Sequence, residues 1–309
     1  MSVDLLTALT ASMITMAVPL LLAALGELLA ERAGVLNIGL EGMMLAGAFA
    51  ALPVALHSGS TALGVGAALL VGAGMGGLLA WFVVRGGANQ VVAGTALNLL
   101  AAGLTGVGYR AVFGVTGAAL TIAGAPTLPI PGLADIPIVG AFFSQNLLGY
   151  AAFALAPAIG FLLWHTLAGL ELRMVGEHPA AAETQGVAVQ RVRVAALLAC
   201  GMLAAAGGAY LSVAYANTFV EGMSAGRGFI ALAIVIVGRR TASGVVLAAL
   251  FFGLATAMQF HFQALGWNVP FQFFLVLPYV LTLLVLAGFV GRAAAPAALG
   301  EPYEGSRNY

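Results

Sequence analysis

Lysine is missing altogether, and cysteine occurs once. A chain without lysine has no Walker A phosphate loop and no Schiff base, so any ATP hydrolysis that drives it has to occur on another chain. The single thiol, Cys200, lies inside an apolar run, which excludes an intrachain disulfide. Charge is scarce as well. Charged residues make up 7% of the 309-residue chain, against about 25% in a soluble domain. So few charges cannot cover a water-facing surface, which excludes the soluble enzyme classes. Eleven acidic residues and eleven arginines cancel, leaving no basic face for nucleic acid. His57, His165, His178 and His261 show no i, i+4 pair and no cysteine companions, so no metal site is expected. The start, Met1-Ser2-Val3-Asp4, has no positive stretch and no small-residue cleavage site, so the first apolar run is expected to stay as a span.

Hydrophobic residues make up 62% of the chain, and glycine contributes 42 positions. Small residues let helices approach closely in lipid, which suits a packed polytopic bundle. A helix crosses roughly 30 Å of hydrocarbon in about 20 residues. On that ruler nine candidate spans lie near 5–30, 36–56, 61–84, 91–109, 147–170, 194–216, 228–238, 244–260 and 273–291. The seventh is too short to cross alone, so eight to ten spans is the working range. The Pro-rich segment 111–146 reads as a loop or re-entrant piece. Alternating ten-residue segments are absent, which argues against a barrel. The expected fold is an all-α, polytopic transmembrane helix bundle, one domain over 1–309.

Arginine sets the expected orientation. With the N-terminus outside, one face holds Arg32, Arg85, Arg173, Arg191, Arg193, Arg239, Arg240, Arg292 and Arg307, and the other holds Arg110 and Arg227. That bias makes the first face cytoplasmic. The loop 171–193 and the tail 292–309 are then cytoplasmic too.

Polar residues inside spans are costly and mark pathways or partners. In ERAGVLNIGLEGMMLAGAFAA (31–51), Gly34, Gly39 and Gly42 punctuate an apolar stretch that also holds Asn37 and Glu41. Two readings stand: a helix broken at membrane depth that lines a cavity, or a cytoplasmic loop with Glu41 solvated. Thr95 and Asn98 in the fourth candidate span could bond a solute, although bonding between helices is the commoner use. Gln259 invites the same comparison, and Glu27 is expected at the interface. Within 171–193, Pro179 suits a first helical position, Ala180, Ala181 and Ala182 are strong formers, and Gly186 suits the stop. Such a short helix would pack into a partner or form part of an ordinary ordered loop.

Two further patterns carry less. Gly222-Met223-Ser224-Ala225-Gly226 matches the G-x-S-x-G elbow but lacks its strand–turn–helix context. It leaves an intramembrane Ser224–His261 dyad as an enzyme alternative. Gly72 and Gly76 form a GxxxG, which a Gly-rich span would show by chance.

Three stretches carry a family resemblance: 31–51 above, ELRMVGEHPAAAETQGVAVQRVRVAALLACGMLAAAGGAYLS (171–212), and the C-terminal pieces MSAGRGFIALAIVIVGR (223–239), PYVLTLLVLAG (278–288) and GRAAAPAALGEPYE (291–304). The chain resembles the permease subunits of ATP-binding-cassette (ABC) importers for branched-chain amino acids, simple sugars and nucleosides. It is most similar to the shorter permease of nucleoside systems. The resemblance implies a coupling helix that enters a groove of a cytoplasmic ATPase, mapped onto Glu177, His178, Pro179, Ala180, Ala181, Ala182, Glu183, Thr184 and Gly186. It implies that the chain is not itself an enzyme: it binds no cofactor, and ATP and Mg belong to the partner ATPase. The other implied partners are a second homologous permease, making a homo- or heterodimer, and an extracytoplasmic substrate-binding lipoprotein, all at the bacterial plasma (inner) membrane. It also inclines Asn37, Glu41, Thr95 and Asn98 towards the substrate pathway. A proton-coupled secondary transporter using Glu41 is the alternative, and the serine protease ranks last.

Overall fold

The computed structural model describes residues 3–114, 121–264, 276, 280 and 295–303. Among them, seven helices are long and apolar enough to cross a membrane. In chain order the helices are α1 (Val3–Arg32), α2 (Leu40–Ser58), α3 (Thr61–Ala80) and α4 (Gln90–Phe113), then α5 (Leu147–His165), α6 (Leu167–Glu177) and α7 (Pro179–Thr184), and finally α8 (Val189–Ala209), α9 (Arg227–Val237) and α10 (Ala242–Ala264). Wider π-wound turns, Trp81–Arg85 and Tyr210–Tyr215, lengthen α3 and α8. The chain is an all-α polytopic membrane protein.

Local chemistry explains many of the boundaries. Helix starts expose amides that need an acceptor. Asn89 supplies one to Val91 and Val92, Asn146 to Gly149, Ser60 to Leu63 and Thr166 to Gly169. Thr166 also separates α5 from α6, so much of 171–193 is helical rather than loop. Between α4 and α5, β1 (Thr127–Pro129) and β2 (Ser144–Asn146) form a small antiparallel pair beside a 3-10 turn at Val139–Phe143. The candidate ninth span, 273–291, and the stretch 278–288 lie outside the described residues apart from positions 276 and 280. Positions 292–294 and 304–309 of the tail, with Arg292 and Arg307, lie outside them as well.

Packing is organised around α1 and α8. Nearly every residue of α1 from Met16 to Glu31 is buried, with α8, α9 and α10 against it. Glu27, expected at the interface, is instead fully enclosed, because α8 and the segment after α1 close over it. The GxxxG expected from chance alone is the α3–α8 seam. A Cβ on Gly72 or Gly201 would collide with the other's carbonyl, and one on Gly76 would strike Leu197 O. Only a bare Cα admits the neighbouring backbone so closely, as small-residue interfaces in lipid require. By contrast α4 buries little of itself, and Val92, Leu99, Leu104 and Val107 face outward.

Candidate functional site

Two polar regions stand out, one inside the bundle and one at its arginine-rich end. The inner one begins where α1 stops. Residues 33–39 do not continue as a helix: Gly34 adopts φ +79 and the segment folds back along α1, with Asn37 N–H donating to Glu27 Oε1 at 3.0 Å. Glu27 lies five residues before the end of α1, so the stretch at Asn37 sits about 8 Å in from that end. The segment is largely buried, not a solvated loop. A short non-helical stretch at this depth is tolerable because its polar groups find protein partners.

Those partners are specific. Asn37 Oδ1 accepts from Gly39 N at 2.9 Å, and its amide nitrogen lies 3.2 Å from Cys200 Sγ and 3.3 Å from Met43 Sδ. Asn98 on α4 accepts from Gly42 N at 2.7 Å and donates to Ile38 O at 2.9 Å, capping the first turn of α2. Glu41 reaches the other way. Its Oε1 accepts from Gly226 N at 2.8 Å and its Oε2 from Gly228 N at 2.7 Å. The carboxylate thus sits on the N-terminus of α9, where amides and dipole both favour negative charge. The eleven residues of α9 span about 16 Å, roughly half the hydrocarbon thickness. Gly228 has to lack a side chain, since a Cβ there would meet the backbone of Glu41. Arg227, grouped by sequence with Arg110 at one face, is half-buried at this inner junction, donating to Met223 O and Ser224 O. Thr95 is exposed on α4 and bonds its own helix at Val91 O and Val92 O.

The structure therefore brings Asn37, Glu41 and Asn98 to one junction of α2, α4 and α9 and leaves Thr95 on the outer face. Sequence reasoning missed Gly226 and Gly228. Their signal was the G-R-G spacing at the start of a span too short to cross. Ser224 is buried in a turn that follows a helix rather than a strand, and no hydrogen bond joins it to His261 among the described residues. Gly222 and Gly226, at φ +71 and +80, shape a turn there.

The second region is the tip formed by α6, α7 and α8. Pro179 opens α7 and Gly186 closes it at φ +84. Ala182 alone of this helix is buried, against Val175 and Val189, while Ala180, Ala181 and Thr184 are exposed. Glu177 and His178 are exposed beside it, and Glu183 is half-buried. At the same end Glu31 and Arg240 form a buried ion pair at 2.5 Å, and Arg32 donates to Arg240 O. Arg32 and Arg173 both approach the ring of Trp164.

Comparison with known proteins separates the readings. Residues 9–286 match the family described as the permease component of the branched-chain amino acid transport system. The chain belongs to this family. It is 36% identical to the guanosine ABC transporter permease protein NupQ of Bacillus subtilis, over 97% of this chain and 98% of that one. It is also 36% identical to the nucleoside ABC transporter permease protein NupC of Lactococcus lactis, with the same coverage. The glucose ABC transporter permease protein TsgB13 of Haloferax volcanii is 31% identical over 77% of this chain and 66% of its own. No solved structure gives a significant match. This permease is thus a multi-pass protein of the bacterial plasma membrane.

Proposed function

We propose that this chain is a translocation subunit of an ABC importer that carries nucleosides, or a related simple sugar, with energy from ATP hydrolysed elsewhere. The observation that carries the reading is α7: a six-residue helix with most of its surface exposed, at the arginine-rich end of a chain that matches permeases over nearly its whole length. A helix so short is marginal by itself and gains from docking. Glu177, His178, Pro179, Ala180, Ala181, Ala182, Glu183, Thr184 and Gly186 form the knob that meets the partner ATPase, and that partner binds ATP and Mg.

The arginine-rich end is then cytoplasmic, with the N-terminus outside and the C-terminus inside. The seven described candidates, the half-length α9 and the segment 273–291 make nine apolar membrane segments acting as one permease domain over 1–309. The outward apolar face of α4 meets a second permease. The solute path lies against that face, where Thr95 offers a hydroxyl, while Asn37, Glu41 and Asn98 hold the wall behind it. A substrate-binding lipoprotein delivers the solute from outside. Proton coupling through Glu41 is not favoured, because both carboxylate oxygens already hold backbone amides.

Reconstitution of this chain with its ATPase, second permease and binding protein tests the reading. Guanosine uptake should require ATP, and unlabelled nucleosides should compete with it. Uptake by the chain alone under a proton gradient would overturn it.

A further inference from the structure

The segment 295–303 lies across the tip and bonds to every element that converges there. Ala298 N donates to Gly176 O at 3.0 Å, at the end of α6, and Gly300 N to Gly34 O at 3.2 Å, after α1. Ala297 N donates to Glu177 Oε2 at 3.2 Å. Arg193, near the start of α8, gives Nη1 to Glu301 O at 2.9 Å and holds its guanidinium 5.9 Å from the Tyr303 ring. Finally the Tyr303 hydroxyl donates to Glu183 Oε2 at 2.5 Å, on α7. Ala298 is buried where the segment meets the end of α6.

These contacts do different work. Those to Gly34 and Gly176 are main-chain bonds to glycines that a side chain would crowd. At Gly176 a Cβ would strike Arg32 O, and at Gly34 it would press on Arg193 and Ala298. They dock the segment on the body of the bundle. Arg193 is 2% exposed, and its Nε and Nη2 have no hydrogen-bond partner among the described residues. Its buried charge therefore leans on the segment's carbonyl and aromatic face. Tyr303 is the strap residue whose side chain bonds to α7, and that helix buries one side chain, Ala182, among the described residues.

We propose that residues 295–303 are a strap that fixes the position of α7 for the ATPase, with Tyr303 as the positioning residue through its bond to Glu183. The inference rests on the coupling role given to α7 above. It adds a second, distant segment to the coupling surface: the knob is formed at 179–184 but aimed from 303. A strap removed from Glu183 leaves α7 folded by its proline and glycine ends, yet free to shift against the ATPase groove.

The test uses the assembled importer, with solute moved per ATP hydrolysed as the readout. Tyr303→Phe removes one hydroxyl and should leave insertion and complex abundance unchanged. It should lower transport per ATP about threefold to tenfold, the span of one hydrogen bond to a partly exposed charged group. Tyr303→Phe added to Glu183→Ala should cost nothing further, since both changes break one contact. Ala298→Asp, which lifts the strap at its buried point, should match or exceed the loss. In parallel, Ala181→Cys on the exposed face of α7 is cross-linked to the ATPase; Cys200 is fully buried and adds no background. If Ala181→Cys captures the ATPase while Tyr303→Phe and Ala298→Asp keep wild-type transport per ATP, the strap is overturned and the coupling helix stands. If Ala181→Cys captures nothing in an active complex, the coupling reading falls and takes the strap with it.

Discussion

Glu41 and Glu183 are both half-buried carboxylates with hydrogen-bond donors 2.8 Å away or closer. Glu41 takes two amides from the first turn of one helix, so α9 cannot start anywhere else without abandoning both. Glu183 takes a hydroxyl from a side chain 120 positions along the chain, on a segment held by a few bonds to loops and helix ends. The first arrangement is a fixture inside the bundle. The second can be altered by shifting a surface segment, which is what a contact with a moving partner needs. Burial alone does not distinguish them; the identity of the donor does.

Four experiments break or sharpen that contrast. The largest effect belongs to a third carboxylate, Glu31, which is enclosed and paired with Arg240. Arg240→Ala strands that charge and should destabilise the protein by about 3–5 kcal/mol, read as a lowered unfolding midpoint in detergent. An unchanged midpoint would mean that enclosure is not what makes such a group costly here. Glu41→Ala should cost about 1–3 kcal/mol by leaving two amides without acceptors. Glu41→Gln should cost less, since its carbonyl can serve one of them. Glu183→Ala should change stability by less than about 1 kcal/mol while uncoupling ATP hydrolysis from uptake. A large loss of stability there would erase the distinction between fixture and movable contact.

The smallest effect is on pH. Partial desolvation, then the bond to Glu183 and that carboxylate's charge, push the Tyr303 hydroxyl from 10.0 up to about 12 against the nearby Arg193 charge. A group whose folded value is raised favours folding while it keeps its proton. The strap's contribution should be complete below pH 10 and disappear as pH rises through about 12. The tyrosinate absorbance difference between the wild type and Tyr303→Phe would report it. Titration near the ordinary tyrosine value would show that the strap does not hold the ring.

Much of this was legible because lipid simplifies the grammar. Among the described residues, apolar runs of span length became helices, and Pro179 and three alanines became α7, with Gly186 two residues past its end. The unread parts depend on contacts far apart in sequence. Nothing near Glu27 announces that α8 and the segment at 37 will enclose it. Nothing near Glu41 points to Gly226 and Gly228, some 185 positions away. Gly72 and Gly76 looked like two glycines among 42. Only the backbone of α8, with Gly201 opposite, turns them into a seam. The sequence 171–193 read as a loop because charged residues dot it, yet Thr166 caps a helix that carries some of those charges at the edge of the bundle.

The strap's main-chain bonds to Gly34 and Gly176 also impose an order on biogenesis. Residues 295–303 leave the ribosome after every described helix, so the tip around α7 stays unfinished while the spans are being inserted. A permease caught half-made would present α7 without its brace; on the coupling role proposed for α7, a nascent chain would be a poor recruit for an ATPase.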